Sequence, residues 1–127
     1  MGRKVLVLED DESVSLSISM SFEDCGYEVQ TVKTAEEAQK ALKSKQFDAV
    51  IVDIRLPGMN GFDFIRSVYD NYPKTSFVII TGSNDIIMWD DIKNKKRVCP
   101  EIFYKPIHDM DSLTDKVTHI HEKEQDS

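Results

Sequence analysis

Ala49-Val50-Ile51-Val52-Asp53-Ile54 is an apolar run with a single acid set into it. The alternation that marks a strand wet on one face is missing before Asp53. A short, nearly continuous run of this kind suits a strand covered on both faces, as in a parallel sheet. Four further segments share the character: Lys4–Leu8, Tyr27–Val32, Ser76–Thr81 and Glu101–Tyr104. They recur about every 25 residues, which leaves room for a helix and two turns in each gap. That is the rhythm of βα units.

The gaps read mostly as helices. Thr34-Ala35-Glu36-Glu37 matches a capping box, after which Ala38, Ala41 and Leu42 face one way. Asn60-Gly61 opens a third helix with Phe62, Ile65, Val68 and Tyr69 at helical spacing, and Pro73 bars its continuation. A fourth helix is expected over Asp85–Lys96, with acids early and Lys93, Lys95, Lys96 and Arg97 late, as the helix dipole favours. A fifth is expected over Asp109–Glu122, with Met110, Leu113, Val117 and Ile120 on one face. The stretch Ser13–Phe22 conflicts with this scheme, because it alternates strictly and so carries the period of a strand. Val14, Ile18, Phe22 and Cys25 also fit a helical stripe. A crossover is required between Leu8 and Tyr27, so helix is the expectation. Leu16 and Met20 are then left off the core stripe, as a candidate docking surface. Right-handed crossovers put helices on both faces of the sheet.

Composition agrees with one soluble domain. The chain has 127 residues, 40% apolar and 31% charged. Sixteen basic against twenty-three acidic residues give a net charge of -7, which argues against direct nucleic-acid binding. No apolar run approaches the roughly 20 residues that span a bilayer, and no signal peptide of the usual form is present, so no membrane association and a cytoplasmic location are expected. Cys25 and Cys99 have no metal spacing and are expected to be reduced, buried thiols. His108, His119 and His121 are expected to face solvent, and Trp89 to pack.

In an open parallel sheet, ligands bind beyond the C-terminal ends of the strands. Those ends carry Glu9-Asp10-Asp11, Asp53, Thr81-Gly82 and Lys105-Pro106. Each has a plainer use on its own: an acid or Thr can cap a helix, and Lys-Pro can make a turn. Together they place several carboxylates, a hydroxyl and an amine on one rim. Clustered carboxylates repel, and a hard cation such as Mg²⁺ or a nearby ammonium relieves them. A carboxylate, Mg²⁺, Lys and Thr are the components that hold a phosphoryl group.

The residues that make up this rim also carry a resemblance. Val5-Leu6-Val7-Leu8-Glu9-Asp10-Asp11, Val50 through Gly61 (with its D-x-x-L-P-x-M-x-G run), Ile79-Ile80-Thr81-Gly82 and Tyr104-Lys105-Pro106 fall in order along the chain. The chain resembles the receiver domain of two-component response regulators. The resemblance implies a flavodoxin-like α/β fold, a doubly wound five-stranded parallel sheet of order 2-1-3-4-5. The receiver is expected over residues 1–122, with a polar tail at 123–127. It implies that Asp53 is the phosphoacceptor and that Mg²⁺ is held by Glu9, Asp10, Asp53 and the backbone carbonyl of Arg55. Three consecutive acids leave the register open, and the distance from Asp10 to Gly26, like the glycine ending the family's first helix, selects Glu9 and Asp10. Lys105 would pair with Asp53 and then the phosphoryl group, with a cis Lys105–Pro106 bond, and Thr81 would bind a phosphoryl oxygen. The donor would be a sensor histidine kinase or phosphotransfer protein docking near Val14 on the first helix. The output would go to a downstream effector protein, from a monomer or weak homodimer. The expected role is signalling rather than enzymatic.

Two departures stand out. The family's aromatic switch position, three before the Lys, is Ile102, and the stretch Lys95–Pro100 before the fifth strand lacks the family's small-residue and Gly-Ala pattern, the span from Thr81 to Lys105 being about two residues longer than typical. They leave a rival reading, a phosphorylation-independent interaction module, against which the complete acid–Asp–Thr–Lys set argues. A small Mg²⁺-dependent phosphatase would need a further acid or base and a substrate pocket, which the sequence does not offer.

Overall fold

The computed structural model describes residues 3–83 and 86–126, with side chains as far as residue 120. Strands β1 (Lys4–Leu8), β2 (Glu28–Val32), β3 (Ala49–Asp53), β4 (Ser76–Thr81) and β5 (Val98–Tyr104) form one sheet. Its order is β2-β1-β3-β4-β5 and every pairing is parallel. Helices α1 (Glu12–Asp24), α2 (Ala35–Ser44), α3 (Gly61–Val68), α4 (Asp90–Lys93) and α5 (Met110–Asp126) follow the five strands in turn. A two-residue ribbon, Arg55–Leu56 against Met59–Asn60, bridges β3 and α3. The βα repeat expected from the apolar runs, and the doubly wound order that the resemblance implies, are the fold observed.

The runs are continuous because both faces of the sheet are covered. Successive side chains in a strand point to opposite faces. Val5, Val7, Ala49, Ile51, Val78 and Ile80 pack with Ile18 and Phe22 of α1 and Leu113 and Val117 of α5. Leu6, Leu8, Val50, Val52, Phe77 and Ile79 pack with α2, α3, Met88 and Ile92. No residue of β3 or β4 could be polar without meeting one core or the other, except at the strand ends.

The alternating stretch is helical. Asp11 caps α1, its Oδ1 accepting from the Ser13 and Val14 amides. Ser15, Ile18 and Phe22 are buried, while Leu16 and Met20 are 61% and 55% exposed. The strand-like period therefore came from serines, which in a helix cost little wherever they fall. The helix stops at Asp24, and Gly26 takes φ +91, the left-handed conformation common just past a helix end. Cys25 is consequently exposed, against expectation, and only Cys99 is a buried thiol.

The largest correction lies between β4 and β5. The helix expected over Asp85–Lys96 is a single turn, Asp90–Lys93, and residues 86–89 are not helical. Asp85 falls outside the described residues. Trp89 has extended backbone, and its ring lies 4.9 Å from that of Phe62 with the Arg66 guanidinium 4.4 Å from its centre. Arg66 also makes two 2.6 Å hydrogen bonds to Asp91. Packing against α3 thus holds this segment in place of helix propagation. β5 starts earlier than expected, at Val98. From the pair Phe77↔Val98 to the pair Ile79↔Ile102, β4 advances two residues and β5 four, so a bulge absorbs the added length. Helix α5 extends past the expected end at Glu122 to Asp126.

Arg97, expected among charges ending a helix, is buried instead. Its guanidinium donates to the carbonyls of Tyr69 and Tyr72 at 2.9 Å, and to that of Thr75. It stacks 3.8 Å from the centre of the Tyr69 ring. Tyr69 opens the 3₁₀ turn Tyr69–Asn71, Tyr72 follows it and Thr75 ends the loop into β4, so one cation gathers carbonyls from both ends of the connection. Replacing Arg97 by Met should lower stability by about 2–3 kcal/mol, because buried carbonyls lose a charged donor. The shift of the urea midpoint, followed by circular dichroism, measures it.

Candidate functional site

Strand order reverses at β1, whose neighbours β2 and β3 continue in opposite directions. A doubly wound sheet opens a crevice at the C-terminal ends of strands at such a point. Glu9 and Asp10 leave β1 there, and Asp53 ends β3 beside them. One carboxylate oxygen from each of the three lies within 4.8 Å of the others. Asp10, Asp11, Asp53, Arg55, Gly82, Ser83 and Lys105 line one open concavity. Asp53 is buried at its base, Glu9 is buried beside it, and Asp10 is exposed.

Lys105 follows β5 and reaches across β4 to this point. Its Nζ donates to Glu9 Oε1 at 2.8 Å and to Asp53 Oδ2 at 3.1 Å. The Lys105 amide donates to the Thr81 carbonyl at 2.7 Å, and the Lys105–Pro106 bond is cis. The remaining carboxylate oxygens take backbone donors. Glu9 Oε2 accepts from the Asp11 amide at 3.0 Å, and Asp53 Oδ1 from the Arg55 amide at 3.1 Å. Thr81 is buried, and its Oγ1 accepts from the Ser83 amide at 3.2 Å. The Arg55 side chain crosses the mouth to Ser83 Oγ at 3.3 Å.

Backbone packing fixes where Asp53 sits. Gly61 donates its amide to the Ile54 carbonyl at 2.8 Å, drawing the start of α3 against the end of β3. A Cβ on Gly61 would lie 2.7 Å from the Asp53 carbonyl and 2.9 Å from Ile54 Cα. Only glycine permits that approach. Asn60 caps α3 by accepting from the Phe62 amide at 2.7 Å.

Burial dominates the electrostatics. It pushes the Glu9 carboxyl up to about 7, and the Asp53 charge adds to the rise, while bonds from Lys105 and the Asp11 amide oppose it. Burial works against the charge on Lys105, but the hydrogen bond it donates to Glu9 and the attraction of Asp53 outweigh it and hold the amine above its ordinary range. Asp11 lies below the ordinary carboxylate range, held there by the Ser13 hydroxyl and the Val14 and Ser13 amides. Its role is the helix cap.

This arrangement has known counterparts. The response regulator receiver domain family matches residues 5–118. The chain belongs to that family. It is 30% identical over 83 residues to the cell cycle transcriptional regulator CtrA of Caulobacter vibrioides, covering 65% of this chain and 36% of that protein. To the transcriptional regulatory protein AfsQ1 of Streptomyces coelicolor it is 29% identical over 85 residues, again 65% of this chain and 36% of the relative. The chain thus spans well under half the length of these relatives. Among solved structures, the CheY-like receiver domain protein of Methanospirillum hungatei gives a TM-score of 0.82 at 22% identity over 100% of both chains, a likeness of fold. The chemotaxis response regulator CheY4 of Vibrio cholerae gives 0.79 at 25% identity, covering 94% of this chain and 99% of that one.

In this receiver domain the folded chain brings together Glu9, Asp10, Asp53, Thr81 and Lys105, from four different strands. Ile102 is half-buried, packed against the core beneath α3 and α4. Three contributions escaped the sequence: the Asp11 amide on Glu9, the Ser83 amide on Thr81, and the contact of Gly61 with Asp53. Amide contacts leave no mark on residue type, whereas Gly61 closes the D-x-x-L-P-x-M-x-G run. His108 and His119 are exposed, as expected, and the His121 side chain lies outside the described residues. Among the described residues, no helix is long and apolar enough to cross a membrane.

Gly61→Ala should cost about 1–3 kcal/mol, since the added methyl must displace backbone. Thermal unfolding of the variant checks this. Glu9 holds its proton more tightly folded than unfolded, so between about pH 4.5 and 7 the folded state keeps a proton the unfolded chain has lost. The metal-free protein should therefore lose stability as pH rises through that window. Urea titrations at several pH values should show this slope, and Glu9→Gln should flatten it.

Proposed function

We propose that this receiver domain takes a phosphoryl group onto Asp53 from a sensor histidine kinase or phosphotransfer protein, and signals by a shift in its surface. One observation carries the reading: a buried carboxylate at the base of an open concavity, 3.1 Å from an ammonium and grouped with two more carboxylates. A structural ion pair would not need three acids around one amine. The donor set is all oxygen, which fits a hard cation such as Mg²⁺. Glu9, Asp10 and Asp53, with the Arg55 carbonyl, would hold it. When bound, it supplies positive charge to phosphoryl oxygens.

The Asp53 carboxylate attacks phosphorus, forming an acyl phosphate. The bond from phosphorus to the donor imidazole breaks, and its electron pair stays on the ring nitrogen. Lys105, already shared between Glu9 and Asp53, moves its charge to a phosphoryl oxygen. Thr81 is poised to report the event. Turning its hydroxyl to a phosphoryl oxygen gives up the Ser83 amide and so alters the backbone loop at Ser83. The exposed Leu16 and Met20 on α1 suit docking of the donor protein, since a continuous apolar pair beside the acid site is otherwise left in water. A downstream effector would read the altered loop.

Incubation with acetyl phosphate should add one phosphoryl group by intact mass, dependent on Mg²⁺, and Asp53→Asn should abolish the adduct. Leu16→Glu/Met20→Glu should keep labelling by acetyl phosphate while losing transfer from a phosphorylated donor protein. No adduct on the wild type, with Mg²⁺ bound, would overturn the reading.

A further inference from the structure

Lysines gather at the end of the sheet opposite Asp53. Tyr72-Pro73-Lys74-Thr75 leads into β4, and Lys93-Asn94-Lys95-Lys96-Arg97 leads into its neighbour β5. Neither loop contains an acid. Arg97 ties the two together. Its guanidinium bonds to the carbonyls of Tyr72 and Thr75, which flank Pro73 and Lys74, and its carbonyl accepts from the Phe77 amide at 2.8 Å. The Lys95 amine lies 4.6 Å from the centre of the Tyr69 ring on which Arg97 stacks. Lys74, Lys93 and Lys96 are exposed, and none of them forms an ion pair among the described residues.

Four ammonium groups are thus held on a fixed platform in a domain whose net charge is -7. Of the acids that produce that net charge, Glu9, Asp10, Asp11 and Asp53 stand at the far end of the sheet; nearer the platform, Asp91 is paired with Arg66, Asp48 accepts from the Lys4 amide, and Asp70 and Asp90 flank the two segments. We propose that this platform is a docking surface for an acidic segment of a partner protein. Charge complementarity supplies the attraction, and flexible lysine stems adapt to irregularly spaced carboxylates. Nucleic acid fits less well. A duplex carries a charge about every 1.7 Å and would extend past the patch onto an acidic domain. Phosphate recognition also favours guanidinium forks, and the patch's one guanidinium is committed to carbonyls. A lipid surface fits less well too. The large exposed apolar residues, Leu16, Met20, Ile87 and Tyr104, all lie outside the two loops, so charge has no apolar insertion to reinforce it.

The test is fluorescence anisotropy with a fluorescein-labelled oligoglutamate peptide, on the whole chain, at low and physiological salt. Saturable binding that weakens with salt is expected. Lys74→Glu/Lys93→Glu/Lys96→Glu should weaken it at least about tenfold. Lys40→Glu/Lys43→Glu/Lys45→Glu on exposed positions of α2 and just after it makes the same change in net charge and should leave binding within about twofold. Circular dichroism confirms that both variants are folded. Equal loss in the two triple variants, or no loss in the first, overturns the proposal. So does tighter binding of a duplex DNA or of phosphatidylserine vesicles than of the peptide. The measurement is independent of phosphorylation at Asp53.

Discussion

The Lys105 ammonium, set between Glu9 and Asp53, makes the acidic end of the sheet possible. Two buried carboxylates with a third beside them would repel strongly in a region of low dielectric. One cation within hydrogen-bond distance of both carries much of that repulsion, and backbone amides from Asp11 and Arg55 take up the oxygens that remain. Removing either kind of partner would leave charge buried without compensation, the costliest kind of defect. The rest of the structure can be understood as what brings an amine from the end of β5 to acids on β1 and β3.

That delivery depends on register. Lys105 reaches Asp53 only if β5 runs beside β4 with Tyr104 opposite Thr81. The two surplus residues of β5 would slip this alignment if they were spread along the strand. The bulge confines them near Pro100, and the pairing is restored at Ile102 before the site is reached. Arg97 anchors the start of the strand and the amide of Lys105 anchors its end. On the other side, the contact of Gly61 with the Asp53 carbonyl fixes the acid from behind. The site is therefore held by backbone on several sides, while the buried Thr81 hydroxyl accepts from the Ser83 amide at 3.2 Å.

The strands, their covered faces and the identity of the rim residues are legible in the amino-acid sequence. Continuous apolar runs at regular spacing leave little freedom in an α/β chain, and the capping residues Asp11, Thr34 and Asn60 act on amides two or three positions away. The serine-rich first helix was resolved only by topology, because its local pattern fits two periods. Local pattern misled where a distant partner decided the outcome. Residues 86–89 look helical, yet Trp89 is drawn onto Phe62 and under Arg66 of α3. Cys25 continues an apolar stripe, yet the helix ends before it.

The sequence by itself determined which residues can be buried, where the capped helices α1, α2 and α3 begin, and which side chains stand at strand ends. These follow from side-chain period and from hydrogen bonds between near neighbours. Tertiary structure alone decided the length of α4, the place of the bulge, and the fate of Arg97. Arg97 has no local partner for its charge. Its acceptors are carbonyls of Tyr69, Tyr72 and Thr75, more than twenty residues earlier, and they converge only once β4 and β5 lie side by side. A carbonyl is the same in every residue, so no choice of amino acid along the chain announces where such a partner will be found.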